Sequence, residues 1–201
     1  MIMGRWEPDT ANRFRAAAIA LFGEIGYEHT TVAAIAQRAG LTSRTFFRYF
    51  ADKREVLFDG SQRLQQMMVD ALVQAPEAAT PLDALAAALV KPGEFFDAER
   101  RPYARLRNDV IAANPDLYER ELIKMATLAA ALTAALRTRA VAAVDASLLA
   151  EAGIAVFRVA FTQWVSTTEQ RDYAEIVTAS LSRLRALTSE DRDRKGGGVT
   201  G

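Results

Sequence analysis

The chain has 201 residues, half of them hydrophobic, and 25 Lys and Arg balance 25 Asp and Glu to a formal net charge of zero. There is no cysteine and one histidine, His29, which excludes a disulfide framework, cysteine-ligated metal, thiol chemistry and most zinc sites or histidine-dependent catalysis. Neutrality argues against a surface that binds polyanions everywhere, so any nucleic-acid site must be local.

Alanine dominates the hydrophobic half while glycine and proline are few, which points to an all-α protein. The N-terminus carries charges with no apolar run behind them before Ala16, unlike a signal peptide, and no run approaches the about 20 residues needed to span a bilayer. The expectation is a soluble cytoplasmic protein with no membrane partner.

In chain order, Asp9 or Thr10 caps a first helix that carries Phe14, Ala17, Ala18, Leu21, Phe22 and Ile25 at helical spacing and stops at Gly26. A short helix runs from Thr30 or Thr31 to Gly40, and a third starts at Thr42 or Ser43 and covers "RTFFRYF". Asp52, with Glu55 three residues on, opens a long helix to about Val73. Thr80 with Pro81, and Asn114 with Pro115, open two more in the favoured cap-then-proline order, the second running through "RTRAVA". A shorter helix lies between Pro102 and Pro115. Asp145 starts the next, and Asp172 with Glu175 starts the last. The end of the chain, 189–201, is charged and then glycine-rich and should be disordered.

The last two helices carry unusual apolar surface. Leu148, Ile154, Phe157, Val159, Trp164 and Val165 lie on more than one side of theirs, and Tyr173, Ile176, Val177, Leu181, Leu184 and Leu187 form one stripe. The pair reads as a homodimer interface, or as the closing layer of a monomer core.

The segment "LTSRTFFRYFADKREVL", residues 41–57, is the most informative. Ala36, Gly40 and Leu41 supply the small crossing residue, the turn glycine and the apolar anchor of a helix-turn-helix. Wound as a helix, residues 43–50 put Phe46 and Phe50 on one face and Arg44, Thr45 and Arg48 on the other. From Arg38 to Arg54 the basic residues Arg38, Arg44, Arg48, Lys53 and Arg54 meet a lone Asp52, so the neutral chain holds a basic face. That pattern suits a recognition helix in the major groove of DNA: Arg44, Thr45 and Arg48 toward base edges, and Thr31, Tyr49 and Lys53 on phosphates. The same pattern also fits a solvated helix face.

Residues 29–58, "HTTVAAIAQRAGLTSRTFFRYFADKREVLF", closely resemble the DNA-binding signature of the TetR family of bacterial transcription regulators. The resemblance implies an all-α protein with an N-terminal three-helix helix-turn-helix DNA-binding domain, 1–51, followed by a C-terminal helical ligand-binding and dimerisation domain, 52–188. It implies a homodimer, joined through the last two long helices, on palindromic double-stranded operator DNA, most often as a ligand-responsive repressor. By position, Thr31 and Lys53 match phosphate contacts, and Thr42, Ser43, Arg44 and Thr45 match the residues that face the groove. Where much of the family has a Tyr-Tyr-His-Phe pattern this chain has Phe47, Arg48, Tyr49 and Phe50; Phe47 lacks the hydroxyl, and Tyr49 supplies one.

On that layout a small apolar or amphipathic effector enters among residues 60–165, with Met67, Met68, Phe95, Phe96, Tyr103, Leu106, Met125 and Trp164 as candidate lining. Arg105, Arg107 and Asp109 are candidates for a polar head group. No nucleophile elbow, His/Glu metal pattern or phosphate loop is present, so neither an enzyme nor a cofactor is expected. A helical scaffold protein is the remaining rival.

Overall fold

Helix follows helix through the computed structural model of the chain, which describes residues 8–166 and 168–189. The order is α1 Pro8–Ile25, α2 Val32–Arg38, α3 Ser43–Phe46, α4 Glu55–Phe58, α5 Ser61–Val73 and α6 Pro81–Val90, then a 3-10 turn Lys91–Glu94, α7 Arg101–Ala113, α8 Pro115–Thr138, α9 Ala143–Trp164 and α10 Tyr173–Ser189. No strand occurs among the described residues. Ser189 closes α10, and the rest of the tail expected to be disordered lies outside the described residues.

The chain forms two compact units, one from the residues up to Gln62 with Pro102–Lys124, the other from Arg63–Arg101 with the residues from Met125 onward. In the first, Phe14 of α1 is the hub. Its ring meets Phe46 edge-on at 5.2 Å and Phe50 at 6.2 Å, and Phe46 and Phe50 lie 5.3 Å apart. Ile35, Ala36, Leu57 and Phe58 complete this core together with Val110, Ile111 and Leu117. Aromatic contacts of this kind add to the area they bury, so α1 and the short α2 and α3 gain a rigid centre.

In the second unit α6 packs against both α9 and α10. Gly153 makes this approach feasible: a Cβ there would stand 3.1 Å from a methyl of Leu85. Leu85, Leu89, Leu132, Leu136, Trp164 and Tyr173 are fully enclosed.

Three expectations from the sequence are corrected. The long helix from Asp52 to Val73 is two helices, α4 and α5, separated at Asp59 and Gly60, where Gly60 takes φ +98° and cannot continue a helix. Asp52 does accept the Arg54 and Glu55 N–H groups at 2.8 and 3.1 Å, but Glu55 pairs with Arg120 instead of returning to Asp52. The third helix is α-helical only over Ser43–Phe46; Arg48 and Tyr49 donate three residues back, to Thr45 and Phe46, so its end tightens into turns. The helix opened by Pro115 stops at Thr138, because Ala140 adopts a left-handed φ of 60° and the Val141 N–H returns to the Leu136 carbonyl.

Candidate functional site

The turn between α2 and α3 follows from residues 36–41. Leu41 N–H donates to the Ala36 carbonyl at 2.9 Å and Gly40 N–H to that of Gln37 at 3.0 Å, the paired bonds of a Schellman stop, with Gly40 at φ +65°. Only a residue without Cβ takes that conformation cheaply, and Arg13 seals the corner by donating to the Ala39 carbonyl. Thr42 then caps α3, its hydroxyl accepting the Thr45 N–H at 3.1 Å.

This capping fixes what the exposed hydroxyls offer. Thr31 caps α2 by accepting the Ala34 N–H at 3.1 Å, which leaves its O–H proton for an outside acceptor. The hydroxyls of Thr42 and Thr45 lie 2.9 Å apart and share one proton between them. Whichever donates, the other keeps a proton directed elsewhere. Ser43 and Thr45 are half-buried, whereas Thr42, Arg44 and Arg48 are exposed. Phe46 and Phe50 are buried beneath them, as the winding of residues 43–50 requires.

Phe47 is 58% exposed, so the residue lacking the hydroxyl presents a bare ring on the same surface. Tyr49 is half-buried with its ring 6.2 Å from that of Phe14. Lys53 is bound to its own protein: Nζ donates to the carbonyls of Tyr27 at 2.7 Å, Thr30 at 3.0 Å and Glu28 at 3.3 Å, and stands 4.2 Å from the Tyr27 ring centroid. Burial pushes the Tyr27 hydroxyl up to about 12, so the ring beside Lys53 stays neutral.

The basic face is narrower than the count of charges suggested. Arg38 donates to Glu24 at 2.9 Å, and this hydrogen bond, helped by the arginine's charge, holds that carboxylate below its ordinary range. Arg54 pairs with Asp52 at 2.7 Å. Burial acts to raise Asp52, but the bonds from Arg54 outweigh it and the carboxyl is held low. Arg44 has no partner among the described residues.

The candidate effector residues divide. Met67 and Phe95 line an open groove of about 690 Å³ in the second unit, with Arg63, Ala71 and Lys91. Arg63 stacks on Phe95 at 4.6 Å. Phe96 and Trp164 belong to an aromatic cluster in the same unit, stacked at 5.1 Å. Met68 is wholly buried, and Met125 is half-buried outside the groove. Tyr103 and Leu106 pack instead in the first unit, where Leu106 fills the space a Cβ on Gly23 would need. Arg107, a head-group candidate, is engaged there by the Leu57 carbonyl at 2.7 Å and by Glu121 at 3.0 Å. Arg63 and Lys91 could not be found from spacing, because a groove lined from separate helices leaves no periodic trace.

An all-α chain with a Schellman-turned helix pair, an exposed arginine on the second helix and an aromatic core beneath it defines a helix-turn-helix protein. The family model described as bacterial regulatory proteins, tetR family, matches residues 14–59, and one described as MftR C-terminal domain matches residues 79–189. The chain belongs to the TetR family, whose members are regulators and not enzymes. It is 38% identical over 79 residues to the HTH-type transcriptional regulator TcmR of Streptomyces glaucescens, covering 39% of this chain and 35% of that one. It is 33% identical over 121 residues to the putative mycofactocin biosynthesis transcriptional regulator MftR of Mycobacterium tuberculosis, covering 57% of this chain and 58% of that one. The match thus spans about a third and rather more than half of these curated relatives. Among solved structures, Thermus thermophilus FadR, a TetR-family transcriptional repressor in complex with lauroyl-CoA, is 26% identical with a TM-score of 0.51, covering 87% of this chain and 92% of that one.

Proposed function

We propose that the chain is a sequence-specific DNA-binding transcriptional regulator of the cytoplasm, acting as a ligand-responsive repressor. The observation that carries this is the α2–turn–α3 unit, built with Arg44 exposed and unpartnered over a buried aromatic core. On this reading residues 1–51 bind DNA and 52–188 regulate. Thr42, Ser43, Arg44, Thr45 and Arg48 face base edges, while Thr31, Tyr49 and Lys53 hold phosphates. Lys53 reaches a phosphate only by releasing a carbonyl, since an ammonium has three protons.

The regulator is a homodimer on a palindromic operator. In support, Val144, Leu148 and Val159 stand exposed along α9, at 70%, 65% and 60%, with Leu187 exposed on α10. A second copy of the same helices would cover them. The effector is apolar or amphipathic and occupies the second unit, where the groove joins the apolar Met67, Ala71 and Phe95 to the charged Arg63, Asp70, Lys91 and Glu94. The lauroyl-CoA complex of the FadR relative supports an amphipathic occupant. Effector binding shifts the population toward a form whose two recognition helices no longer match half-sites about 34–36 Å apart.

The test is a titration of the purified protein against the intergenic DNA beside its own gene, at two salt concentrations, with unrelated DNA as competitor. Binding that survives the competitor and weakens steeply with salt is expected. Equal affinity for operator and competitor, repeated after selection from random DNA, overturns the proposal and favours a helical scaffold.

A further inference from the structure

Polar atoms enclosed in a protein almost always have hydrogen-bond partners, and each exception calls for a reason. In the second unit three donors, Trp164 Nε1, the Tyr173 hydroxyl and Arg101 Nε, are buried with no hydrogen-bond partner among the described residues. They are neighbours. The Trp164 and Tyr173 rings stand perpendicular with centroids 6.3 Å apart, and the Arg101 guanidinium is 5.3 Å from the Trp164 centroid. The other Arg101 nitrogens donate to the carbonyls of Glu169 and Arg171, each at 2.7 Å, which leaves Nε inward of the α9–α10 connection.

A plain core has no use for this composition. Phenylalanine in place of Tyr173 would fill nearly the same volume without an unpaired hydroxyl. The indole and the guanidinium can only donate. Burial pushes the Tyr173 phenol well above its ordinary value, so it too retains its proton. The complement of such a set is an acceptor oxygen.

Phe96 indicates where that oxygen's molecule would lie. Its ring stacks on Trp164 at 5.1 Å with an interplanar angle of 27°, and meets Tyr173 edge-on at 4.9 Å. Unlike Trp164 and Tyr173 it is half-exposed, and it sits in the irregular segment between the 3-10 turn and α7, which no helix holds. The preceding residue, Phe95, lines the open groove.

We infer that Phe96 plugs a latent pocket whose occupant is a planar aromatic molecule bearing an acceptor oxygen, as carboxylate or ring carbonyl. The occupant's ring replaces Phe96 on the face of Trp164, and its oxygen accepts from the buried donors beside Arg101. This names the chemistry of the effector and rests on the reading that the second unit binds one. Binding is therefore measured on DNA-free protein, so that an operator titration can fail without touching it.

The chain has two tryptophans, Trp6 and Trp164, and Trp6→Phe leaves one indole N–H signal for nitrogen-15 NMR. The probes are 2-naphthoate and 2-ethylnaphthalene, alike in ring but not in oxygen. With 2-naphthoate the Trp164 Nε1–H resonance should shift, and calorimetry should show binding at least about tenfold tighter than with 2-ethylnaphthalene. Tyr173→Phe should leave Tm unchanged or raise it, and should weaken 2-naphthoate by about tenfold. Phe96→Ala should tighten 2-naphthoate by removing the plug. No binding of 2-naphthoate, equal affinity for the two probes, or a Tm that falls by more than about 4 °C in Tyr173→Phe would each overturn the inference, the last because it shows the hydroxyl already partnered.

Discussion

Replacing Lys53 by methionine keeps most of the side chain's apolar stem and removes its ammonium. Nζ donates to the Tyr27 and Thr30 carbonyls at 2.7 and 3.0 Å, and lies over the Tyr27 ring at 4.2 Å. These carbonyls belong to the turn between α1 and α2, where the Tyr27 carbonyl also accepts the Thr30 N–H at 3.2 Å. A hydrogen bond to a charged group contributes about 1.5–3 kcal/mol net, and a partly exposed cation–π contact about 0.5–1 kcal/mol. One half-buried ammonium makes all of them and gives up hydration to do so, hence they do not add, and about 2 kcal/mol is the expected loss. For a chain of this size that is about 4–8 °C in Tm. Urea unfolding of the wild type and Lys53→Met, followed by circular dichroism, measures it. A difference below about 0.5 kcal/mol would mean instead that these bonds exchange freely with water and that the ammonium is available for another acceptor.

Two Schellman stops provide a matched pair: Gly40→Ala should destabilise by about 1–2 kcal/mol at φ +65°, whereas Ala140→Gly should stabilise by up to about 1 kcal/mol at φ 60°. Changes of the same sign in the two urea titrations would contradict the assignment of left-handed backbone at one of them. Arg44→Ala should lower operator affinity by about 1–3 kcal/mol, and by an amount that varies with the base opposite; a loss independent of sequence rules out direct readout. Hydrogen bonds from Arg171 hold Glu169 down to about 2 from 4.5, so its contribution to stability is complete above about pH 4.5 and fades as pH falls through about 2. Glu169→Gln should flatten the acid limb of the unfolding profile over that interval, and an unchanged limb would show that the pair is solvated.

Several helices of this fold were legible because they carry their own punctuation. Thr31, Thr42 and Thr80 cap the helices at which they were expected, and Gly40 makes the turn. The break at Asp59 and Gly60 was missed because the apolar spacing continues across it, from Leu57 and Phe58 to Leu64 and Met68; Gly60 was its one local sign. Ala140 carried no sign at all, since alanine is a strong helix former and its left-handed backbone is imposed by its surroundings. The candidate DNA surface rests on one contiguous stretch and could be read from it. The candidate effector residues come from distant segments, so Tyr103 and Leu106 could not be separated from Met67 and Phe95 by spacing. The unpaired donors of Trp164 and Tyr173 exist only once the helices have packed.

A neutral chain can act on a polyanion if most of its cations are engaged by the protein itself. In the first unit Arg15 pairs with Asp59, Arg38 with Glu24, Arg54 with Asp52 and Arg120 with Glu55, while Arg13 and Lys53 donate to carbonyls. Arg38 ties α2 to α1, Arg120 ties α8 to α4, Arg13 ties α1 to the corner before α3, and Lys53 ties the segment after α3 to the α1–α2 turn, so the charges work as scaffold before they work as field. On α3 itself Arg44 is exposed among the hydroxyls of Thr42, Ser43 and Thr45. On the regulator reading, this distribution weakens the phosphate attraction that every DNA sequence offers equally and leaves the side chains that distinguish bases in place. Such a protein gains discrimination at the expense of affinity for random DNA, and the quantity to compare with other regulators is the ratio of the two constants at one salt concentration.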